Sequence, residues 1–224
     1  MCDIAVFVGN PGRQWLEQVG RILQSGNKDA TGVALHLGLQ VDVRKSPGPA
    51  EKFFKPRAWR RWYARRAPYI QAGLLHCRHA TNGSPLDNKN NHPHVSDIGS
   101  VLVHRGVVEP VVLQPTHSEY DSEQLLASLD RMGLEKGILN CPGSKSVAYI
   151  PAWDLNHIYI YSNSQLSTLT ILGTLLISTV RFEGATALTL YQWYKVSLNG
   201  KVEKVMGAIN ERPRGIRLQP DQGD

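Results

Sequence analysis

The chain has 224 residues, 42% hydrophobic and 20% charged, with a formal charge of +6. That apolar content supports a packed core and excludes a disordered chain, and the length suits one large domain or two small ones. Three cysteines, Cys2, Cys77 and Cys141, make no disulfide framework, and no basic-then-apolar leader opens the chain. The longest apolar run, 166–180, is shorter than the roughly 20 residues a membrane helix needs, and it contains Gly173 and six hydroxyl side chains after Leu166. The expectation is a cytoplasmic protein with no membrane segment.

In chain order, DIAVFVGN (3–10) reads as a strand. GRQWLEQVGRILQSG (12–26) places Trp15, Leu16, Val19, Ile22 and Leu23 at helical spacing and closes at Gly26. TGVALHLG and LQVDVRK (31–45) predict a strand pair. RAWRRWYARRA (57–67), bracketed by Pro56 and Pro68, predicts a helix with Trp59, Trp62 and Tyr63 on one face. GLLHCRHA (73–80) and GSVLVHRG (99–106) are strand-like, separated by a polar stretch rich in Asn, Gly and Pro. SEQLLASLDRMGLEKG (122–137) is a second clear helix, with Ser122 at the expected N-cap and apolar residues at Leu125, Leu126, Leu129 and Met132. Strand-like segments follow at 146–151, 157–163, 167–172 and 174–180. The hairpin at 194–205 turns at Asn199-Gly200. Few helices and many strands predict an α+β fold with antiparallel sheets.

The positive charge is concentrated. Lys52, Lys55, Arg57, Arg60, Arg61, Arg65 and Arg66 lie within fifteen residues, and without them the net +6 becomes about −1. This run reads either as a solvated helix face or as a contact for phosphate, nucleic acid or an acidic partner across Arg57–Arg66.

The polar stretch HCRHATNGSPLDNKNNHPH (76–94) holds four histidines and four asparagines. No core is built from such residues. Zinc is one reading, but strand alternation points His76 and Arg78 one way and Cys77 and His79 the other, and there is no compact two-cysteine knuckle. Polar side chains tying a loop down fit better, so neither metal nor cofactor is expected. Cys2 precedes the first strand. Removal of Met1 would leave its thiol beside a free α-amine, whose pKa near 8 suits a base at neutral pH.

Taken together, MCDI (1–4), DATGVAL (29–35), HCRHATNGSP (76–85), NNHPH (90–94), HRG (104–106) and SEYDSE (118–123) resemble, in order, the motifs of the class II glutamine amidotransferases, the N-terminal-nucleophile glutaminase family. The resemblance covers about residues 1–206 as one domain and leaves 207–224 as a C-terminal tail. It implies a four-layer αββα sandwich with antiparallel sheets. It also implies hydrolysis of the side-chain amide of glutamine through a Cys2 thioester, with ammonia released to a separate acceptor enzyme, or action on a related γ-amide.

Carried over residue by residue, the resemblance makes Cys2 the nucleophile. Arg78 and Thr81 become ligands of the substrate carboxylate, Asp121 the ligand of its ammonium, and His92 part of the wall. Gly106 is an oxyanion donor through its backbone N–H. Arg105 occupies the place of the family's asparagine oxyanion donor. Further departures are Asp3 for the glycine after the nucleophile, His79 for a tryptophan and Asn82 for a histidine. The carboxylate-binding half matches and the catalytic half is altered. The alternative is therefore a catalytically impaired fold that acts as an interaction or nucleic-acid-contacting module through its basic helix.

Overall fold

The computed structural model describes residues 2–81, 83–116 and 120–205. The elements, in order, are β1 (Asp3–Val8), α1 (Arg13–Leu23), β2 (Ala30–His36), β3 (Val41–Pro47), α2 (Ala50–Phe54), α3 (Arg57–Arg66) and β4 (Ala72–Arg78). Then come β5 (His94–Val95), β6 (Val101–Val108), α4 (Asp121–Leu139), β7 (Gly143–Ile150) and β8 (His157–Ser162). The last are β9 (Ser167–Ile171), β10 (Thr174–Ser178), β11 (Thr186–Ala187), β12 (Gln192–Ser197) and β13 (Val202–Lys204).

The strands form two antiparallel sheets. One has the order β11-β9-β10-β1-β4-β2-β3, the other β13-β12-β8-β7-β6-β5. Alternation along β1 explains the layering. Ile4, Val6 and Val8 pack between the sheets against Val101, Val103, Ala148 and Ile160, while Ala5 and Phe7 face the helices. A strand buried on both faces needs an uninterrupted apolar run, and β1 has one. On the outer face of the first sheet, α1, α2 and α3 contribute Leu16, Leu23, Phe53, Phe54, Trp59 and Tyr63. On the outer face of the second, α4 contributes Leu125, Leu126 and Leu129 over Val147 and Tyr149. The fold is the expected α+β sandwich of four layers.

Trp59 anchors the α3 side. It is fully buried, stacks on Trp62 at 5.4 Å and donates its indole N–H to Glu17 Oε1 at 2.9 Å. Truncating a buried tryptophan to alanine typically costs about 3–5 kcal/mol. The expected apolar face of this helix is present, although Trp62 is only half-buried.

Several boundaries differ from expectation. Ser122 is not an N-cap. α4 starts at Asp121 with Tyr120 before it, and the Ser122 hydroxyl turns onto His104 instead. The same helix breaks at Gly133, whose φ of 76° lies outside helical geometry, and resumes to Leu139. α2 escaped the sequence reading because five residues carry no helical period. The run 166–180 forms β9 and β10, the two strands expected of it. No helix among the described residues is long and apolar enough to cross a membrane. The tail 207–224 and Asn82 lie outside the described residues.

Candidate active site

The site forms where the N-terminal end of β1, the C-terminal end of β4, β6 and the first turn of α4 meet. Cys2 immediately precedes β1. Its thiol donates to the His79 carbonyl and accepts from the His79 N–H, both at 3.4 Å. Burial pushes the thiol pKa up and the Asp3 carboxylate adds to this, against the lowering effects of the His79 N–H and the Arg78 guanidinium.

Arg78 ends β4 and is buried, with Nη1 donating to Asn91 Oδ1 at 2.9 Å and Nη2 to the Gly83 carbonyl at 3.2 Å. The loop from β4 to β5 is tied down by its asparagines. Asn91 donates to the Pro85 carbonyl at 2.8 Å, Asn90 to the Ser84 carbonyl at 2.9 Å, and Asn88 to the Lys45 carbonyl at 2.9 Å. Lys45 returns a bond from Nζ to the Asn91 carbonyl at 2.6 Å, and burial draws its pKa down to about 8. The loop settles onto β2 because residue 32 is glycine. A Cβ there would stand 1.9 Å from the His92 carbonyl oxygen.

The histidines do not follow the loop-tying expectation. His76, His92, His94 and His104 are all buried and pack together. The rings of His76 and His92 stack at 4.1 Å, and His94 meets His92 edge-on at 4.4 Å. His76 Nε2 bonds the His104 carbonyl at 3.0 Å, and His104 Nδ1 pairs with Ser122 Oγ at 3.0 Å. Both ring nitrogens of His92 and Nε2 of His104 lack a hydrogen-bond partner among the described residues. Desolvation holds the group neutral. It draws His76 to about 3 and His104 to about 4, and lowers His92 and His94 in the same direction. No three His, Cys, Asp or Glu side chains among the described residues converge in a way that could hold a metal ion.

Arg105 does not reach the cleft as an oxyanion donor would. Its Nε donates to the Cys2 carbonyl at 2.8 Å and lies 3.3 Å from Asp3 Oδ1. Asp3 also accepts from Thr179 Oγ1 at 2.8 Å and Asn27 Nδ2 at 2.6 Å. The two departures from the resembled motifs at 3 and 105 are therefore partners, and the arginine is spent on the backbone of Cys2. Gly106 has a φ of 133°, and a Cβ on it would meet the Ser144 carbonyl oxygen at 1.8 Å, so glycine is required there by the β6–β7 approach alone. Asp121 stabilises the start of α4 by accepting from Ser122 N–H at 2.8 Å and also accepts from Val108 N–H at 3.3 Å.

Cys2, Arg78, Thr81, His92, Gly106 and Asp121 line one small cleft of about 30 Å³, on the order of one water. Of the seven predicted site residues only Arg105 stands outside it. His94, His104, Tyr120 and Ser122 also line it and were not assigned roles from sequence. The histidine of HRG is the available signal for His104. A larger cavity of about 310 Å³ lies between Ile98 and α4, lined by Leu126, Asp130 and Arg131, and holds none of the predicted site residues.

No family model matches the chain. Over 120 residues it is 31% identical to the glutamine–fructose-6-phosphate aminotransferase (isomerizing) of Corynebacterium glutamicum, covering 49% of this chain and 18% of that protein. The enzyme of the same name from Corynebacterium diphtheriae is 34% identical over 121 residues, with the same coverage. Among solved structures, the glutamine phosphoribosylpyrophosphate amidotransferase from B. subtilis, complexed with ADP and GMP, matches with a TM-score of 0.65 at 15% identity. A structure described as the allosteric regulatory enzyme of purine biosynthesis matches at 0.69 and 14%. Each structural match covers 93% of this chain and 50% of the other. The chain thus spans about a fifth of the length of the curated relatives and half of the structural ones.

Proposed function

We propose, from its place among the class II glutamine amidotransferases, that the protein hydrolyses the side-chain amide of glutamine, with Cys2 as nucleophile and its α-amine, freed by removal of Met1, as base. The observation that carries the reading is the shared cleft of Cys2, Arg78, Thr81 and Asp121. A guanidinium and a carboxylate in one cleft suit an amino acid held at both charged ends. The α-amine takes the thiol proton and sulfur bonds to the carboxamide carbon. The tetrahedral oxyanion collapses with cleavage of the C–N bond, and the nitrogen leaves as ammonia with the transferred proton. Water then cleaves the thioester to glutamate and regenerates the thiol. Gly106 N–H is the oxyanion donor in this reading, and His92 forms the wall. Arg105 acts as a positioning residue, holding the Cys2 carbonyl. With one oxyanion donor replaced, turnover falls below that of an intact hole by about 10²–10³. The ammonia passes to a separate acceptor enzyme.

The cleft holds about 30 Å³, so an amino acid enters only as its walls part. The test is ammonia and glutamate release from glutamine by the purified chain, with Cys2→Ala as control and intact mass to establish that Met1 is gone. Release that depends on Cys2 supports the reading. No release above the control from chains lacking Met1 overturns it, and activity with Met1 retained overturns the amine as base.

A further inference from the structure

The basic run at 52–66 takes no part in the cleft, and its surroundings differ from those of an ordinary solvated face. Lys52, Lys55, Arg57, Arg60, Arg61 and Arg65 are all exposed, and none is ion-paired among the described residues. The neighbouring acids are engaged elsewhere. Asp42 pairs with Arg66, Glu51 accepts from Gln24, and Glu17 is held by Arg13 and Trp59. Arg57, Arg60, Arg61 and Arg65 sit at i, i+3, i+4 and i+8, which puts them along one side of α3 over about 12 Å.

The apolar face of the helix is already committed to the protein core, with Trp59 and Tyr63 buried and Trp62 covered by the Arg66 guanidinium at 4.5 Å. A membrane-surface helix instead turns its large apolar residues outward, and the exposed uncharged positions of α3 are the small Ala58 and Ala64.

We propose that this face of α3 binds the phosphate backbone of a nucleic acid, without reading bases. Guanidinium forks match phosphate oxygens in pairs, and a continuous row of phosphates meets a continuous row of cations. The inference is independent of glutaminase activity.

The experiment is fluorescence anisotropy of the full chain with a labelled mixed-sequence oligonucleotide of about 20 nucleotides, single-stranded and duplex, at about 50 and about 200 mM salt. If three phosphates are neutralised, duplex affinity falls about 40-fold between the two salt concentrations. The R57A/R60A/R61A/R65A variant should lose binding at both salt concentrations while keeping its melting temperature, because the four side chains are exposed and alanine favours helix. The corresponding four-lysine variant should keep the salt slope with weaker binding. Undiminished binding by the alanine variant, or binding indifferent to salt, overturns the proposal. So does attachment to phosphatidylserine vesicles, or to a polyglutamate peptide, without oligonucleotide binding. The first would make the face a membrane contact and the second a site for acidic polypeptides.

Discussion

Arg105 and Asp3 are ion-paired at 3.3 Å, and the same guanidinium Nε holds the carbonyl of Cys2 at 2.8 Å. Two changes that look separately harmful in sequence are one arrangement in space. The carboxylate beside Cys2 is paired with the arginine that stands where the resembled motif has asparagine. Both side chains are mostly buried, 14% and 16% exposed, so neither charge is easily left alone. Arg105→Ala should cost about 3 kcal/mol, the lower end of the range for breaking a buried pair. The double variant Asp3→Gly, Arg105→Asn should lose less than the two single changes added together, with a coupling of about 1–3 kcal/mol. Urea midpoints of the four proteins measure this, and strict additivity would show that the pair is incidental.

The proposed recognition of an amino acid at both charged ends makes a kinetic prediction. Arg78→Lys and Asp121→Asn should each lower kcat/KM by about 10- to 100-fold, chiefly through KM, since the first loses the bidentate guanidinium fork and the second the carboxylate charge, hydrogen bonds to charged groups being worth about 1.5–3 kcal/mol. Arg78 also braces Asn91 and the Gly83 carbonyl, so a structural loss must be separated from a binding one. A γ-amide lacking the α-carboxylate does this. Already a poor substrate, it should lose nothing further on Arg78→Lys, whereas an equal loss on both substrates would assign the arginine to the loop alone.

The buried histidines predict acid lability. Their folded pKa values lie below the ordinary value near 6.5, to about 3 for His76 and about 4 for His104. The unfolded chain therefore takes up protons first as pH falls. The stabilisation is complete above about pH 6.5 and is lost on the way down toward the folded values, by about 1.4 kcal/mol per pH unit for each imidazole held neutral. Between about pH 6.5 and about pH 5 few carboxylates titrate, so denaturant midpoints across that window isolate the effect. A flat profile there would mean that the cluster accepts protons in the folded state.

Gly32→Ala tests the seat of the loop. The new methyl would lie 1.9 Å from the His92 oxygen and 2.8 Å from Pro93 Cδ, and backbone must move to admit it. The expected result is a loss of about 1–3 kcal/mol, as for overpacking, with displacement of His92 and slower turnover in the proposed glutaminase reaction. Unchanged stability and activity would show that the loop has another equally good seat.

Much of the fold was legible because its signals are local. The continuous apolar run of β1, the helical spacing in α1 and α4, and Asn199-Gly200 all act within a few residues of themselves. Where signals were short or competed with tertiary contacts, the reading slipped. α2 is too brief to show a period, and Ser122 has the right chemistry for a cap but finds a stronger claim from His104. Six of the seven predicted site residues line one cleft because the ordered motifs preserve strand ends and loop lengths, which carry those side chains to the same end of the sandwich.

The amino-acid sequence by itself determined the two kinds of face on each strand and helix, the concentration of charge on α3, and the order of polar motifs that resembles a glutaminase domain. Only the tertiary structure decided that Arg105 turns to Asp3 and Cys2, that four imidazoles are buried against one another, and that the acids near the basic face are engaged elsewhere. The physical reason is range. Backbone preference and apolar periodicity act over a few residues, whereas pairing and desolvation depend on which distant segments the stacked sheets bring together.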